Sequence, residues 1–224
     1  MSEPTLSVAP PPARIAVRAV ALVMHGGRET STAPVNARQL SVVRMIPFAR
    51  ALRRKGGADG LAVARLRFAV RGWNGEARSP VADATWAIEQ LTERFPGVPI
   101  VLIGHSMGGR TALYLAGHRS VVAVVALAPW IEEGDPIGQL AGRRLLVVHG
   151  ARDRVTSPKR SARLADRAKT LGATVTYVSV PHENHAMTRR PLLWHRRVAN
   201  YVTGLLREPD LRQNEGIRRG EDSA

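Results

Sequence analysis

The chain has 224 residues, 44% of them hydrophobic, which is enough for one well-filled core and points to a single domain. It contains no cysteine, so disulfides, thiolate chemistry and cysteine-based zinc sites are excluded. The formal charge of +15 raises a polyanion partner, but lysine occurs only at Lys55, Lys159 and Lys169, and the arginines are scattered over every segment. That spread speaks against a phosphate-binding stripe, so neither nucleic acid nor a membrane surface is expected as a partner.

Residues 1–16 are rich in Pro and Ser and are predicted to be a disordered tail. They have neither a basic start nor an apolar h-region, and the longest nearly unbroken apolar run, 121–131, is too short to span a bilayer. The expectation is a soluble, cytoplasmic protein. From 17 to 206 runs a regular alternation, and 207–224 is a charged tail without an apolar face. Runs rich in Val, Leu and Ile at 17–24, 61–68, 100–103, 121–127, 145–148 and 175–180 read as strands. Helical spacing fills 37–54, 80–95, 107–118, 157–171 and 191–206. Aromatic residues are only 4%, so the core is built from Ala, Val, Leu and Ile. Strict alternation of strand and helix predicts an α/β fold, with a mostly parallel sheet of about six strands and helices on both faces. Ligand sites in such sheets lie outside the carboxyl ends of the strands, so the residues just after each strand carry the functional information.

After the first strand comes His25, Gly26, Gly27, Arg28, and after the second Arg71, Gly72, Trp73. The third strand runs into Gly104, His105, Ser106, Met107, Gly108, Gly109 and then a helix. A serine there needs small residues two positions before and after it, because the sharp turn brings those neighbours against the adjoining strand and helix. The hydroxyl is then held at the top of the sheet, with a helix N-terminus aimed at developing negative charge. After the fourth strand only about 17 residues precede the next, room for a loop or one short helix. The fifth strand leads into Gly150, Ala151, Arg152, Asp153, and the sixth into His182, Glu183, Asn184, His185. No GxGxxG or GxxxxGK follows a strand, and there is no HExxH, so neither a nucleotide cofactor nor a metal is expected.

The element order and the strings HGG, RFAVRGWN, GHSMGG and HGARDRV resemble the α/β-hydrolase family over about 17–206. The resemblance implies a small serine hydrolase without a cap, acting on an ester or related acyl bond of a small-molecule substrate. Ser106 is the implied nucleophile. A serine hydroxyl is a poor nucleophile at neutral pH and needs an imidazole and a carboxylate, which the family places in the chain order Ser, Asp, His. Asp153, in the family's usual acid loop, is preferred to Asp135. His185, several residues past its strand, is preferred to His182. The implied oxyanion donors are the backbone N–H groups of Met107 and Gly27, with Arg28 the near alternative to Gly27. Trp73 and Trp130 are candidate substrate contacts, although Trp73 serves equally well as packing beneath the loops. The missing cap implies an open, shallow site suited to short acyl groups. A non-catalytic protein of the same fold is the rival reading.

Overall fold

The computed structural model describes residues 2–208. Strands β1 (Thr5–Ala9), β2 (Ala19–Met24), β3 (Leu61–Arg67), β4 (Ile100–His105), β5 (Val121–Leu127), β6 (Arg144–Gly150) and β7 (Thr174–Val180) form one sheet. Their order is β1-β3-β2-β4-β5-β6-β7. β2 to β7 are parallel, and β1 pairs antiparallel with the outer side of β3. Helices α1 (Leu40–Gly56) and α5 (Pro191–Leu205) cover one face, and α2 (Ser79–Arg94), α3 (Met107–Tyr114) and α4 (Pro158–Thr170) the other.

The coverage explains the composition. β2 and β4 are buried at every position because both of their faces are covered, so they read as continuous apolar runs. Along β2, Val20, Leu22 and Met24 pack toward α2 and α3, while Ala19, Ala21 and Val23 pack toward α1 and α5. Local signals set the helix ends. Ser157 caps α4 by accepting the Arg160 N–H at 3.2 Å, and Pro158 follows at the first helical position. The Asn36 side chain accepts the Arg38 N–H at 2.8 Å, holding a turn there, and α1 begins at Leu40 rather than at 37.

The expected disordered tail over 1–16 gives way to β1. Its register runs from Thr5 opposite Arg67 to Ala9 opposite Val63. Leu6 and Val8 alternate onto the core while Thr5 and Ser7 stay exposed, the period-2 pattern of an edge strand. Prolines at 4 and 10 bound it and account for the tail-like composition. The sheet therefore has seven strands instead of six. The charged tail expected from 207 lies, from 209 onward, outside the described residues.

β5 and β6 are joined by residues 128–143, whose only helical element is a single 3-10 turn at Gly138–Leu140, so no cap covers the carboxyl ends of the strands. No helix among the described residues is long and apolar enough to cross a membrane.

Deleting residues 2–9 removes the β1 ladder and the partial burial of Leu6 and Val8. The expected loss is about 2 kcal/mol, a fall in Tm of roughly 4–8 °C by circular dichroism. An unchanged Tm would show that β1 contributes nothing to the fold.

Candidate active site

Ser106 sits between β4 and α3 with φ 54° and ψ −116°, a region that L residues rarely occupy. The glycines around it are steric requirements. A Cβ on Gly104 would overlap the carbonyl oxygen of Gly108, and one on Gly108 would lie 2.6 Å from the carbonyl of His25 and 2.9 Å from that of Met24. The turn can close only with bare backbone at both positions. The Ser106 Oγ makes no hydrogen bond to a protein group among the described residues, and Ser106 is 8% exposed.

Asp153 follows β6, and its carboxylate is fully enclosed. Oδ1 accepts the N–H groups of Val155 at 2.8 Å and Thr156 at 3.0 Å. Oδ2 accepts the Thr156 hydroxyl at 2.8 Å, His185 Nδ1 at 2.8 Å and His149 Nε2 at 3.1 Å. Burial alone would raise its pKa, but the hydrogen bonds from His149, His185 and the Thr156 backbone, with the positive charge His185 bears when protonated, hold it well below the usual carboxylate range. Because a carboxylate only accepts, His185 carries its proton on Nδ1 and leaves Nε2 free as a base. His182 is exposed, has φ 62° and makes no side-chain hydrogen bond among the described residues. Asp135 is committed elsewhere, taking Arg110 at 2.6 Å and the Tyr114 hydroxyl at 2.7 Å.

The structure thus joins Asp153 to His185 directly, and it sets His105, the residue before Ser106, against His185. The His105 ring lies 4.7 Å from that of His185, and its Nε2 donates to the His185 carbonyl at 3.0 Å. Burial first, and then the charge of His185, lowers the His105 pKa to about 3, so it is a neutral strut at any working pH. The loop carrying His185 is held from below by Glu183, which is 0% exposed. Its carboxylate accepts the N–H groups of Asn184 (3.0 Å), Arg189 (3.2 Å) and Arg190 (2.9 Å) and the Trp194 indole (3.3 Å). Its main-chain carbonyl accepts Arg152 N–H at 2.9 Å, tying this loop to the one that carries Asp153. Burial pushes the Glu183 pKa up, and these donors outweigh it and bring it down.

At the end of β2, His25 Nε2 accepts the Phe68 N–H at 3.2 Å, so Nδ1 holds the proton and donates to the Gly26 carbonyl at 2.7 Å. Burial lowers the His25 pKa to about 4, against the raising effect of the Gly26 hydrogen bond. The Gly26 carbonyl and the Gly27 N–H belong to one planar trans peptide and point in opposite directions. Anchoring the first therefore turns the second away from the protein interior. Neither the Gly27 amide nor that of Met107, the first residue of α3, has a partner among the described residues. The Arg28 amide, by contrast, is bound to the Arg71 carbonyl at 2.8 Å. A Cβ on Gly27 would overlap Met107 and the Arg71 carbonyl, so the approach of these two segments requires glycine.

Trp73 is 4% exposed and Trp130 half-buried; their rings pack edge to face with centroids 6.1 Å apart, and the guanidinium of Arg110 lies over both, 4.1 Å from one centroid and 4.5 Å from the other. Arg110, Glu183 and His149 were not among the sequence candidates. The only available signals were the position of Arg110 four residues after the serine and of His149 four residues before Asp153, and neither spacing identifies a partner.

The alpha/beta hydrolase fold family model matches residues 72–200, more than half of the chain. The chain belongs to the α/β-hydrolase fold family. Solved structures agree on the fold. Est1E from Butyrivibrio proteoclasticus superposes with a TM-score of 0.70 at 13% identity, covering 92% of this chain and 96% of that one. XC6422 from Xanthomonas campestris, described as an a/b serine hydrolase without lid, gives 0.64 at 22% identity over 92% and 90% of the two chains. A truncated carbohydrate esterase from gut microbiota gives 0.70 at 15% identity over 91% of each. A comparison with curated proteins gave no match.

Because the Glu183 pKa is depressed on folding, its stabilisation is complete above the ordinary value of 4.5 and is lost as pH falls through the depressed value. Glu183→Gln should therefore cost about 2 kcal/mol at pH 7, a cost that shrinks steadily below pH ~4.5. Urea melts of both proteins across that range test it, and a pH-independent difference would contradict it.

Proposed function

We propose that the chain is a serine hydrolase that cleaves carboxylic esters or related acyl bonds of small substrates through an acyl-serine intermediate. The observation that carries this reading is the 2.8 Å bond from His185 Nδ1 to the buried Asp153 carboxylate, together with a serine held at φ 54° on the strand-to-helix turn directly after His105, whose ring contacts that of His185. Esterases among the structural neighbours support it.

In this mechanism Ser106 Oγ attacks the carbonyl carbon of the substrate while His185 Nε2 takes its proton. The oxygen that gains charge is received by the amides of Gly27 and Met107, neither of which has another partner among the described residues. As the tetrahedral intermediate collapses, the bond to the leaving group breaks and His185 returns the proton to it. Water, activated by the same imidazole, then attacks the acyl-serine, and the acid leaves as Ser106 regains its proton. Asp153 stays ionised throughout, fixes the tautomer of His185 and stabilises the imidazolium. Losing one oxyanion donor would cost ~3 kcal/mol of barrier, or two orders of magnitude in kcat. With no cap over the site, short acyl groups fit this arrangement better than long chains.

Assays on p-nitrophenyl esters of increasing acyl length should show highest kcat/KM for acetate and butyrate. Ser106→Ala and His185→Ala should each lose ~10⁴-fold or more, while His182→Ala keeps wild-type rates. Equal rates in wild type and Ser106→Ala, or no ester turnover with no labelling by a fluorophosphonate, would reject the mechanism. Survival of activity in His185→Ala would reassign the base.

A further inference from the structure

The Asp153 carboxylate receives more donors than its burial requires. A carboxylate offers about four lone-pair directions. Oδ1 accepts two backbone amides, and Oδ2 accepts His185 Nδ1 and the Thr156 hydroxyl, whose other acceptor, the Ala128 carbonyl, lies farther off at 3.2 Å. Those donors already satisfy the charge. His149 Nε2, 3.1 Å from Oδ2, comes in addition, and it is aimed at the oxygen on which His185 depends. It also stands 3.3 Å from the Thr156 hydroxyl oxygen, where His185 Nδ1 stands 3.2 Å, so the two imidazoles address the same pair of oxygens.

The two rings differ in what surrounds them. The His185 side chain is 15% exposed at the rim, whereas that of His149 is fully enclosed at the end of β6. Because Asp153 only accepts, His149 carries a proton on Nε2, and its Nδ1 faces the Ser161 hydroxyl of α4 at 2.7 Å. That hydroxyl is buried and makes no other hydrogen bond among the described residues. A proton on Nδ1 as well would leave the Ser161 proton unmet in a dry interior, so Ser161 donates and the ring is neutral. The result is a second chain of serine, histidine and aspartate, running inward from Asp153. Ser161 and His149 are both closed to solvent, so this chain meets no substrate and can act only on Asp153. Burial pushes the Asp153 pKa up, and among the bonds that overcome burial the one from His149 is the largest.

We propose that His149 is a positioning residue for the proposed base: by donating to Asp153 Oδ2 it draws off part of the carboxylate's charge and so lowers the pH at which His185 becomes free to accept a proton. The catalytic consequence rests on the acyl-hydrolase reading. A negative charge beside an imidazole favours its protonated form, and a donor that spends this charge weakens the effect. His185 acts as a base only when unprotonated, so His149 extends its working range downward. Ser161 keeps the donor aimed by engaging the opposite nitrogen. The other titratable groups around His185 do not share this role. They are the neutral His105 from the end of β4, Arg44 from α1, whose charge is felt at His105, and Glu183, whose carboxylate is occupied at the start of α5. None of them bonds to Asp153 among the described residues.

The test is a pair of titrations on the wild-type protein and its variants: kcat/KM for p-nitrophenyl acetate against pH, and the ring 15N signals of His185, assigned by their loss in His185→Ala. His149→Phe keeps a ring but removes the donor, and both midpoints should rise by roughly half a pH unit or more. His149→Gln, whose amide can still donate to Oδ2, should restore the wild-type midpoints. Ser161→Ala should shift them upward by less than His149→Phe does. A purely structural histidine would lower the rate evenly across pH with both midpoints unmoved, and that outcome overturns the proposal. So does a downward shift, or a Gln variant that moves as far as the Phe variant. If His149→Phe does not fold, Ser161→Ala carries the test, and unmoved midpoints there overturn the proposal. A protein that cleaves no ester but shows the expected ring titrations sinks the hydrolase reading and leaves the action of His149 on His185 standing. Unmoved ring titrations sink that action whether or not esters are cleaved.

Discussion

A carboxylate removed from water must be met by hydrogen-bond donors, and that constraint organises the carboxyl ends of β6 and β7. Asp153 is met by two backbone amides, a threonine hydroxyl and two imidazoles. One oxygen is shared between His185 and His149, and His149 is itself fixed through its Nδ1 to Ser161 at 2.7 Å. The donors come from β6, the following turn and the loop after β7, so the charge pulls three segments to one point. Glu183 repeats the device one loop away, gathering the start of α5 around a second buried carboxylate. The two systems meet where Arg152 N–H reaches the Glu183 carbonyl, and a Cβ on Gly150 would lie 2.5 Å from that same carbonyl oxygen. Positional accuracy of the proposed base thus comes from charge satisfaction in a dry interior rather than from packing alone.

The buried histidines at the ends of β2 and β4 work on the opposite principle. Burial keeps His25 and His105 neutral, with pKa values near 4 and 3, and a neutral imidazole is at once donor and acceptor. His25 uses both functions to orient the peptide between Gly26 and Gly27, and His105 uses its donor to hold the main chain at His185. Each links a strand end to a loop without bringing a charge next to the proposed oxyanion site.

Two halves of the rim differ in character. Over β6 and β7 lie the proposed base, His185, and the carboxylate that orients it. Over β2 to β5 lie the Gly27 and Met107 amides, which have no partner among the described residues, and the cluster of Trp73, Tyr114 and Trp130 around Arg110. Arg110 connects them, since its helix starts at the proposed nucleophile and its amide bonds to the Ser106 carbonyl at 3.1 Å. Folding also redistributes the arginines that look evenly scattered in sequence. Arg50, Arg54 and Arg196, with Lys55, line one cleft between α1 and α5.

Alternating apolar runs and helical periods were enough to read the parallel sheet, because both are local consequences of burying one or two faces of an element. The glycines flanking Ser106 were legible for a similar reason, since they answer a clash within a few residues of chain. β1 was missed because its two apolar residues lie between prolines, and only pairing with β3 gives them a surface to cover. Candidates for acid and base could be ranked by their positions after strands, but the partner of each side chain depended on folding. Tertiary structure gave Asp135 to Arg110 and Tyr114, left His182 in solvent, spent the Arg28 amide on Arg71 and brought Glu183 beneath the His185 loop. Those outcomes turn on which buried charges and amides find partners across separations of up to 80 residues, and no local pattern records that.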